Sequence, residues 1–291
     1  MRLHSNKFLG DKSIMNILFW NASIGKICKH TERHKDRIEA LLVELIIENK
    51  ADIVVLAEYE LDLLKVCDLL AVAGYLYKEG KSINPKCRVK LLLKDELSYE
   101  YYKDPEYYFI VRIVNVVGYE FLLGGVHFPS KLSPAALEGC KRTADDMVRE
   151  LQDLERKVII LGDFNSNPYE EIMLGFDYFH ALPYSEVVQR KNSRVSYGIE
   201  RRIFYNPMWN YINDFSNPHG TYYFDSNASI CTGYNILDQV LFSANMIDDL
   251  EDRSIRIITE VNGEMLVNDS NRPDIRKYSD HLPIAFTVKG E

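Results

Sequence analysis

The stretch Val158-Ile159-Ile160-Leu161-Gly162-Asp163-Phe164-Asn165 constrains this chain more than any other. Four consecutive apolar residues read as a strand buried on both faces. The run stops at Gly162, and a carboxylate and an amide follow two residues apart. Side chains alternate along an extended backbone, so Asp163 and Asn165 are expected on one side. Pro168 restricts Asn167 and ends the extended segment. A polar pair is thus delivered to the mouth of a sheet. The plain alternative is an ordinary strand-to-turn ending, because Gly-Asp is common there.

The same event recurs along the sequence. Asn16 to Asn21 reads as a strand closing on an amide, and Ile53 to Ala57 as a second, followed by Glu58. Glu120 to Val126 delivers His127, and Asn235 to Ser243 reads as a strand with Asp238 inside it. Tyr278-Ser279-Asp280-His281 precedes a last strand, Leu282 to Val288. A polar strand end is usually just solvated, but that account has to be invoked at each of these places. Between the strands, residues 33–49, 61–72 and 134–156 carry helical apolar spacing. Residues 88–94 and 107–117 read as strands, and a hairpin is expected across Asn262-Gly263. Strands and helices alternate early and strands dominate late, which points to an α/β sandwich. Polar strand ends run the length of the chain, so 15–291 is expected to form one domain and 1–14 a loose leader.

Composition limits the partners. The net charge of −8 lacks the basic excess of a protein that grips long duplex nucleic acid. An acidic balance still suits a phosphate substrate if bound divalent metal neutralises a carboxylate cluster. No apolar run reaches the roughly 18 residues of a membrane span. The five cysteines are odd in number and widely spaced, without a zinc or disulfide pattern, so a reducing cytoplasm is the expected setting. Nothing in the sequence addresses oligomeric state.

The chemistry that fits these residue types is phosphate-ester hydrolysis. Glu58 and Asp280 offer hard oxygen ligands for Mg2+ (or Mn2+), and Asn21 a neutral oxygen beside them. Asp163 is placed to orient and deprotonate the attacking water. His281 is expected against the phosphate, its tautomer fixed by Asp238. His127 and Asn165 are further donors to phosphate oxygens. The stretch 197–224 interleaves Tyr197, Phe204, Tyr205, Trp209, Tyr211, Phe215, Tyr222, Tyr223 and Phe224 with Arg201 and Arg202. Such a mixture stacks bases and holds phosphates, which makes Arg201, Arg202, Tyr205 and Trp209 candidate substrate contacts. The competing reading is the packing of a large irregular insertion. His30, His34, His180 and His219 read as surface residues.

Phe19-Trp20-Asn21, Leu56-Ala57-Glu58, Gly125-Val126-His127, Leu161-Gly162-Asp163-Phe164-Asn165, Leu237-Asp238-Gln239-Val240 and Ser279-Asp280-His281-Leu282-Pro283, in this order, resemble the endonuclease/exonuclease/phosphatase superfamily. The resemblance runs from Asn16 to Val288. It implies a four-layer α/β sandwich of two mainly antiparallel sheets flanked by helices, as in DNase I, and Mg2+ or Mn2+ dependence. It also implies Glu58 as a metal ligand with Asn21 and Asp280 at or near the metal, Asp163 on the nucleophilic water, and Asp238 paired with His281. Two positions depart from the pattern. Ala57 stands where many members have Gln, and His127 rather than Tyr argues against an abasic-site enzyme. The expected activity is a metal-dependent phosphodiesterase, with nucleic acid, DNA first, as the leading substrate. The alternatives are a phosphatase or phosphodiesterase acting on an inositol phosphate, a sphingolipid or a nucleotide, and a non-catalytic binding protein of the same fold.

Overall fold

A computed structural model describes residues 14–24, 32–131, 133–225 and 232–290. The expected leader, apart from its last residue, lies outside the described residues. The early strands are β1 (Ile14–Asn21), β2 (Ile53–Ala57), β3 (Tyr77–Gly80), β4 (Val89–Lys94), β5 (Ser98–Lys103), β6 (Tyr108–Val114), β7 (Glu120–His127) and β8 (Val158–Asp163). One sheet of six strands runs Arg256–Ile257, Ile284–Lys289, β1, β2, β4, β3. The other, of seven, runs β5, β6, β7, β8, Asp238–Ser243, Phe204–Tyr205, Ala181–Leu182. Both are mixed and mainly antiparallel. They pack face to face, with helices on their outer sides.

Side-chain patterning dictates these layers. All five residues of β2 and all six of β8 are buried, as a strand covered on both faces requires. Phe19, Val55, Leu91, Phe109, Leu161, Val240 and Phe286 belong to one core that joins the sheets and extends under the helices Glu32–Glu48 and Leu63–Val72. A second core lies under the helix Pro134–Glu150, where Cys140, Ala144 and Met147 meet Val126, Ile160 and Leu241. Each large aliphatic or aromatic side chain so buried contributes about 1.5–3 kcal/mol. Ser133 caps the Pro134–Glu150 helix by accepting from Ala136 N at 3.2 Å.

Strand direction brings the polar ends together. β1 and β2 are parallel, with Asn21 beside Ala57, and β7 and β8 are parallel, with His127 beside Asp163. The C-terminal ends of all four therefore lie at one edge of the sandwich. The strand Asp238–Ser243 is antiparallel to β8 and starts at that edge, Asp238 opposite Asp163. Ile284–Lys289 is antiparallel to β1, with Ile284 beside Phe19, so the preceding Asp280 and His281 arrive at the same place.

Several boundaries differ from the sequence reading. Asp238 begins its strand rather than sitting inside one. Residues Gly233–Asn235 pair instead with Tyr222–Phe224 in a separate ribbon, and Ile236 N donates to Asn167 Oδ1 at 2.9 Å. The long helix ends at Glu150 rather than near 156. The hairpin across Asn262-Gly263 forms between Glu260–Val261 and Glu264–Met265, with positive φ at both turn residues. His180 is buried, not on the surface, and its ring packs 6.0 Å from that of Phe176.

Candidate active site

Gly162 is the pivot of the site. Its φ is +146°, and a Cβ there would lie 2.0 Å from the carbonyl oxygen of Val126 on β7. Only glycine lets the two parallel strands approach this closely just before Asp163. Asp163 then stands 2% exposed between the sheets. Its Oδ2 accepts from Asn21 Nδ2 at 2.9 Å, across the sandwich, and its Oδ1 accepts from Asn165 N at 2.8 Å.

The amide of Asn165 donates to Phe128 O at 2.8 Å and to Asp163 Oδ2 at 3.3 Å. In this arrangement Asn165 fastens Asp163 to Phe128, the residue that follows β7. Both Asn165 and Glu58 have φ of 47°, a left-handed backbone uncommon for side chains other than glycine. Asn21 Nδ2 also lies 3.4 Å from Glu58 Oε1, and His127 Nε2 lies 3.3 Å from the same oxygen. His127 therefore faces the Glu58 carboxylate.

His281 closes the cluster. Its Nδ1 is 2.9 and 3.1 Å from the two carboxylate oxygens of Asp238. Its Nε2 is 4.0 Å from Asp163 Oδ2 and 4.0 Å from Asp280 Oδ1. The backbone is pinned on three sides. His281 N donates to Ser279 Oγ at 3.0 Å, Ser279 Oγ donates to Asn21 O at 2.7 Å, and Trp20 Nε1 donates to His281 O at 3.3 Å. Thr221 ties this segment to the neighbouring strand. Its Oγ1 accepts from Asp238 N at 3.2 Å and its carbonyl accepts from Leu282 N at 2.8 Å. A lone Thr in an irregular stretch carries no signal that sequence reasoning could have used.

Electrostatics follow from this geometry. Burial disfavours a charged His281, but the carboxylates of Asp238, Asp163 and Asp280 outweigh it and push the imidazole up to about 10. Burial raises the Asp163 carboxyl above its ordinary value, with Asp238 adding to the rise and His281 opposing it. The pair is a carboxylate more basic than usual beside an imidazolium.

Asp163, Asp238 and His281 could by spacing alone hold a metal ion. Their hydrogen bonds argue for a different use, because the Asp238 carboxylate already engages His281 Nδ1. The donor set that fits a hard divalent cation lies next to them. Glu58 keeps 28% of its side chain exposed and Asp280 10%, and Asn21 lies beside Glu58. Three buried carboxylates around one imidazole also leave an excess of negative charge that a bound cation would offset.

Arg201, Arg202, Tyr205 and Trp209 are placed elsewhere. Arg201 and Arg202 lie in the hairpin strand Ile199–Arg202 and are 6% and 1% exposed. Arg202 donates to the carbonyls of Asp153 and Arg156, and Arg201 reaches Asp145 Oδ1 at 3.4 Å. Both arginines thus secure the end of the Pro134–Glu150 helix and the loop after it. Tyr205 pairs with Phe242, four residues along the strand from Asp238, or about 13 Å. Trp209 sits in the 3-10 turn Pro207–Tyr211. Among the described residues none of these four hydrogen-bonds to the cluster. The aromatic residues from the same stretch that do reach it are Tyr222 and, next in the ladder, Phe224. The Tyr222 ring lies 4.7 Å from that of His281, and Phe224 stacks 6.3 Å beyond.

The sequence matches no protein-family model, and no curated protein matches it. Solved structures do. TDP2 of D. rerio complexed with a single-strand DNA product is similar at a TM-score of 0.58 and 17% identity, covering 94% of this chain and 98% of that one. An endonuclease/exonuclease/phosphatase family protein from Bacteroides thetaiotaomicron is similar at 0.55 and 14% identity, covering 97% and 99%. ANGEL2, described as a 2',3'-cyclic phosphatase and bound to adenosine-2',3'-vanadate, is similar at 0.56 and 11% identity, covering 96% of each chain.

Proposed function

We propose that this chain, which has the DNase I-like fold, is a divalent-metal-dependent phosphoesterase, and that its substrate is a nucleic-acid phosphodiester. The carrying observation is the joint placement of Asp163 and His281. A buried carboxylate of raised basicity faces, at 4.0 Å, an imidazolium fixed from behind by Asp238. Asp163 orients a water and takes its proton. His281 Nε2, the nitrogen not engaged by Asp238, presents a proton towards the phosphoryl oxygens, where charge builds up. Asp238 accepts from Nδ1 and stabilises the imidazolium, the form in which Nε2 carries a proton as well.

Glu58 and Asp280 would hold the Mg2+ or Mn2+, with Asn21 beside them. When bound, the ion polarises the phosphoryl oxygen and stabilises the leaving oxygen. His127 positions Glu58 through its Nε2 contact. Residues 15–291 act as one catalytic unit. Among the described residues no helix is long and apolar enough to cross a membrane, and a reducing cytoplasm remains the setting we favour.

Two neighbours support nucleic acid over an inositol phosphate or a lipid, since one was solved with single-strand DNA and the other with an adenosine derivative. A panel of single-stranded DNA, duplex DNA, supercoiled plasmid, RNA and inositol phosphates, each with Mg2+ and with Mn2+, tests the reading. Metal-dependent cleavage of a nucleic acid supports it. Phosphate release from inositol phosphates alone would replace it with the small-molecule alternative.

A further inference from the structure

The aromatic ladder beside His281 is not used by the chemistry above. The strand Tyr222–Phe224 pairs with Gly233–Asn235 as a two-stranded ribbon, and Tyr222 is also bridged to His281 through the backbone. Successive side chains of a strand point to opposite faces. Tyr222 and Phe224 therefore share one face, their ring planes within 28° of each other. His281, Tyr222 and Phe224 form a line of three rings that starts at the catalytic imidazole and leads away from it. All three residues of the strand are half-buried rather than sealed in a core.

The other face of the ribbon is braced. Tyr223 packs edge-on against Tyr234 at 4.9 Å, the Arg272 guanidinium lies 3.8 Å over the Tyr223 ring, and Arg272 Nη1 reaches Asp225 Oδ2 at 3.2 Å. The ladder thus stands on a supported ribbon.

We infer that Tyr222 and Phe224 form a stacking platform for an unpaired nucleobase adjoining the scissile phosphate. This deepens the proposed function and rests on it. Two physical arguments select this ligand. A π-face binds any base but gains little from a base already stacked inside a duplex, so the platform suits a single strand or a frayed end. The net charge of −8 offers little long-range attraction to a polyanion. Affinity for a short substrate then has to come from contacts of this kind, and binding should depend only weakly on salt.

The test uses the full chain carrying Asp163→Asn, to suppress turnover, with Mg2+ present. The probe is a single-stranded DNA hexamer with 2-aminopurine next to its terminal phosphodiester, whose fluorescence falls on stacking. The expected result is quenching on binding. Phe224→Ala should abolish it and weaken binding about tenfold or more, while Phe224→Trp should restore it. Circular dichroism and melting of each variant report whether the fold is kept. Phe224 lies beyond Tyr222 in the ladder, so this substitution leaves the ring against His281 in place. Equal quenching with and without the Phe224 ring would overturn the platform, as would cleavage of the hexamer by the unsubstituted chain with no quenching at all. If the unsubstituted chain hydrolyses inositol phosphates and no nucleic acid, the nuclease reading fails and the platform falls with it.

Discussion

Asn21 Nδ2 lies 2.9 Å from Asp163 Oδ2, and this single hydrogen bond joins the C-terminal ends of strands in opposite sheets of the sandwich. It explains how a carboxylate that is 2% exposed keeps a defined orientation. Replacing Asn21 by Leu removes the donor while Asp163 stays buried. Asp163 then keeps only its Asn165 donors, and losing one hydrogen bond to a charged group costs about 1.5–3 kcal/mol. The expected outcome is a loss of that size in urea unfolding, with turnover at least about tenfold lower. Unchanged stability and turnover would remove Asn21 from the site.

The His281–Asp238 contact makes stability depend on pH. The folded imidazole is held up to about 10, against about 6.5 for an unfolded histidine. The folded state binds the proton more tightly, so this contribution is complete below about pH 6.5. It drains away as pH rises towards 10. In metal-free buffer the melting temperature should therefore fall across that interval. Asp238→Asn removes the largest favourable cause and should flatten the fall. An equal slope in both proteins would contradict the assigned pairing.

Removing the imidazole should cost more than loosening it. His281→Ala is expected to lower turnover by orders of magnitude with the fold intact. Asp238→Asn should cost less, because the ring remains. Steady-state kinetics on one phosphodiester decide this, and equal losses would mean that Asp238 does more than orient.

Glu58 is the acid test for the cation. Mg2+ or Mn2+ at a hundredfold excess over its dissociation constant adds about 2.7 kcal/mol to a protein that binds it only when folded. The ion should raise the melting temperature of the native chain, and Glu58→Gln should largely abolish the rise. A full rise in the variant would move the metal away from Glu58.

Gly162→Ala should not be tolerated. The added Cβ meets a backbone carbonyl at 2.0 Å, and the φ of +146° is itself unfavourable for alanine. Separation of β7 from β8 is the only relief, so a loss of more than about 3 kcal/mol or failure to accumulate as soluble protein is expected. Near-native urea stability would show that the strands part without cost.

Much of this arrangement was legible because local chemistry and strand period agree. Val158 to Leu161 is buried along its whole length, and the polar residues after it, like those after β1, β2 and β7, reach one edge because these strands run in parallel pairs. What stayed hidden depends on distant residues. The loop after the long helix is held by Arg202, which donates to the carbonyls of Asp153 and Arg156 from a hairpin roughly fifty positions away, and no pattern near residue 150 announces it. For the same reason Arg201 and Arg202 read as phosphate contacts when their charges in fact serve a helix end and its loop. The aromatic stretch pointed to the right region, but only pairing with Gly233–Asn235 puts Tyr222, and not Tyr205, beside His281, with Phe224 next to Tyr222. Glu58 and Asn165 adopt left-handed backbone that their residue types do not foretell.

The most direct measurement is hydrolysis of a single-stranded oligonucleotide by the native chain and by Asp163→Asn, each with Mn2+ and with EDTA. The account predicts cleavage by the native chain with Mn2+ and none with EDTA. It predicts a loss of several orders of magnitude in Asp163→Asn, with an unchanged circular dichroism spectrum. Cleavage that persists in EDTA, or that survives in Asp163→Asn at a rate near the native one, would contradict it.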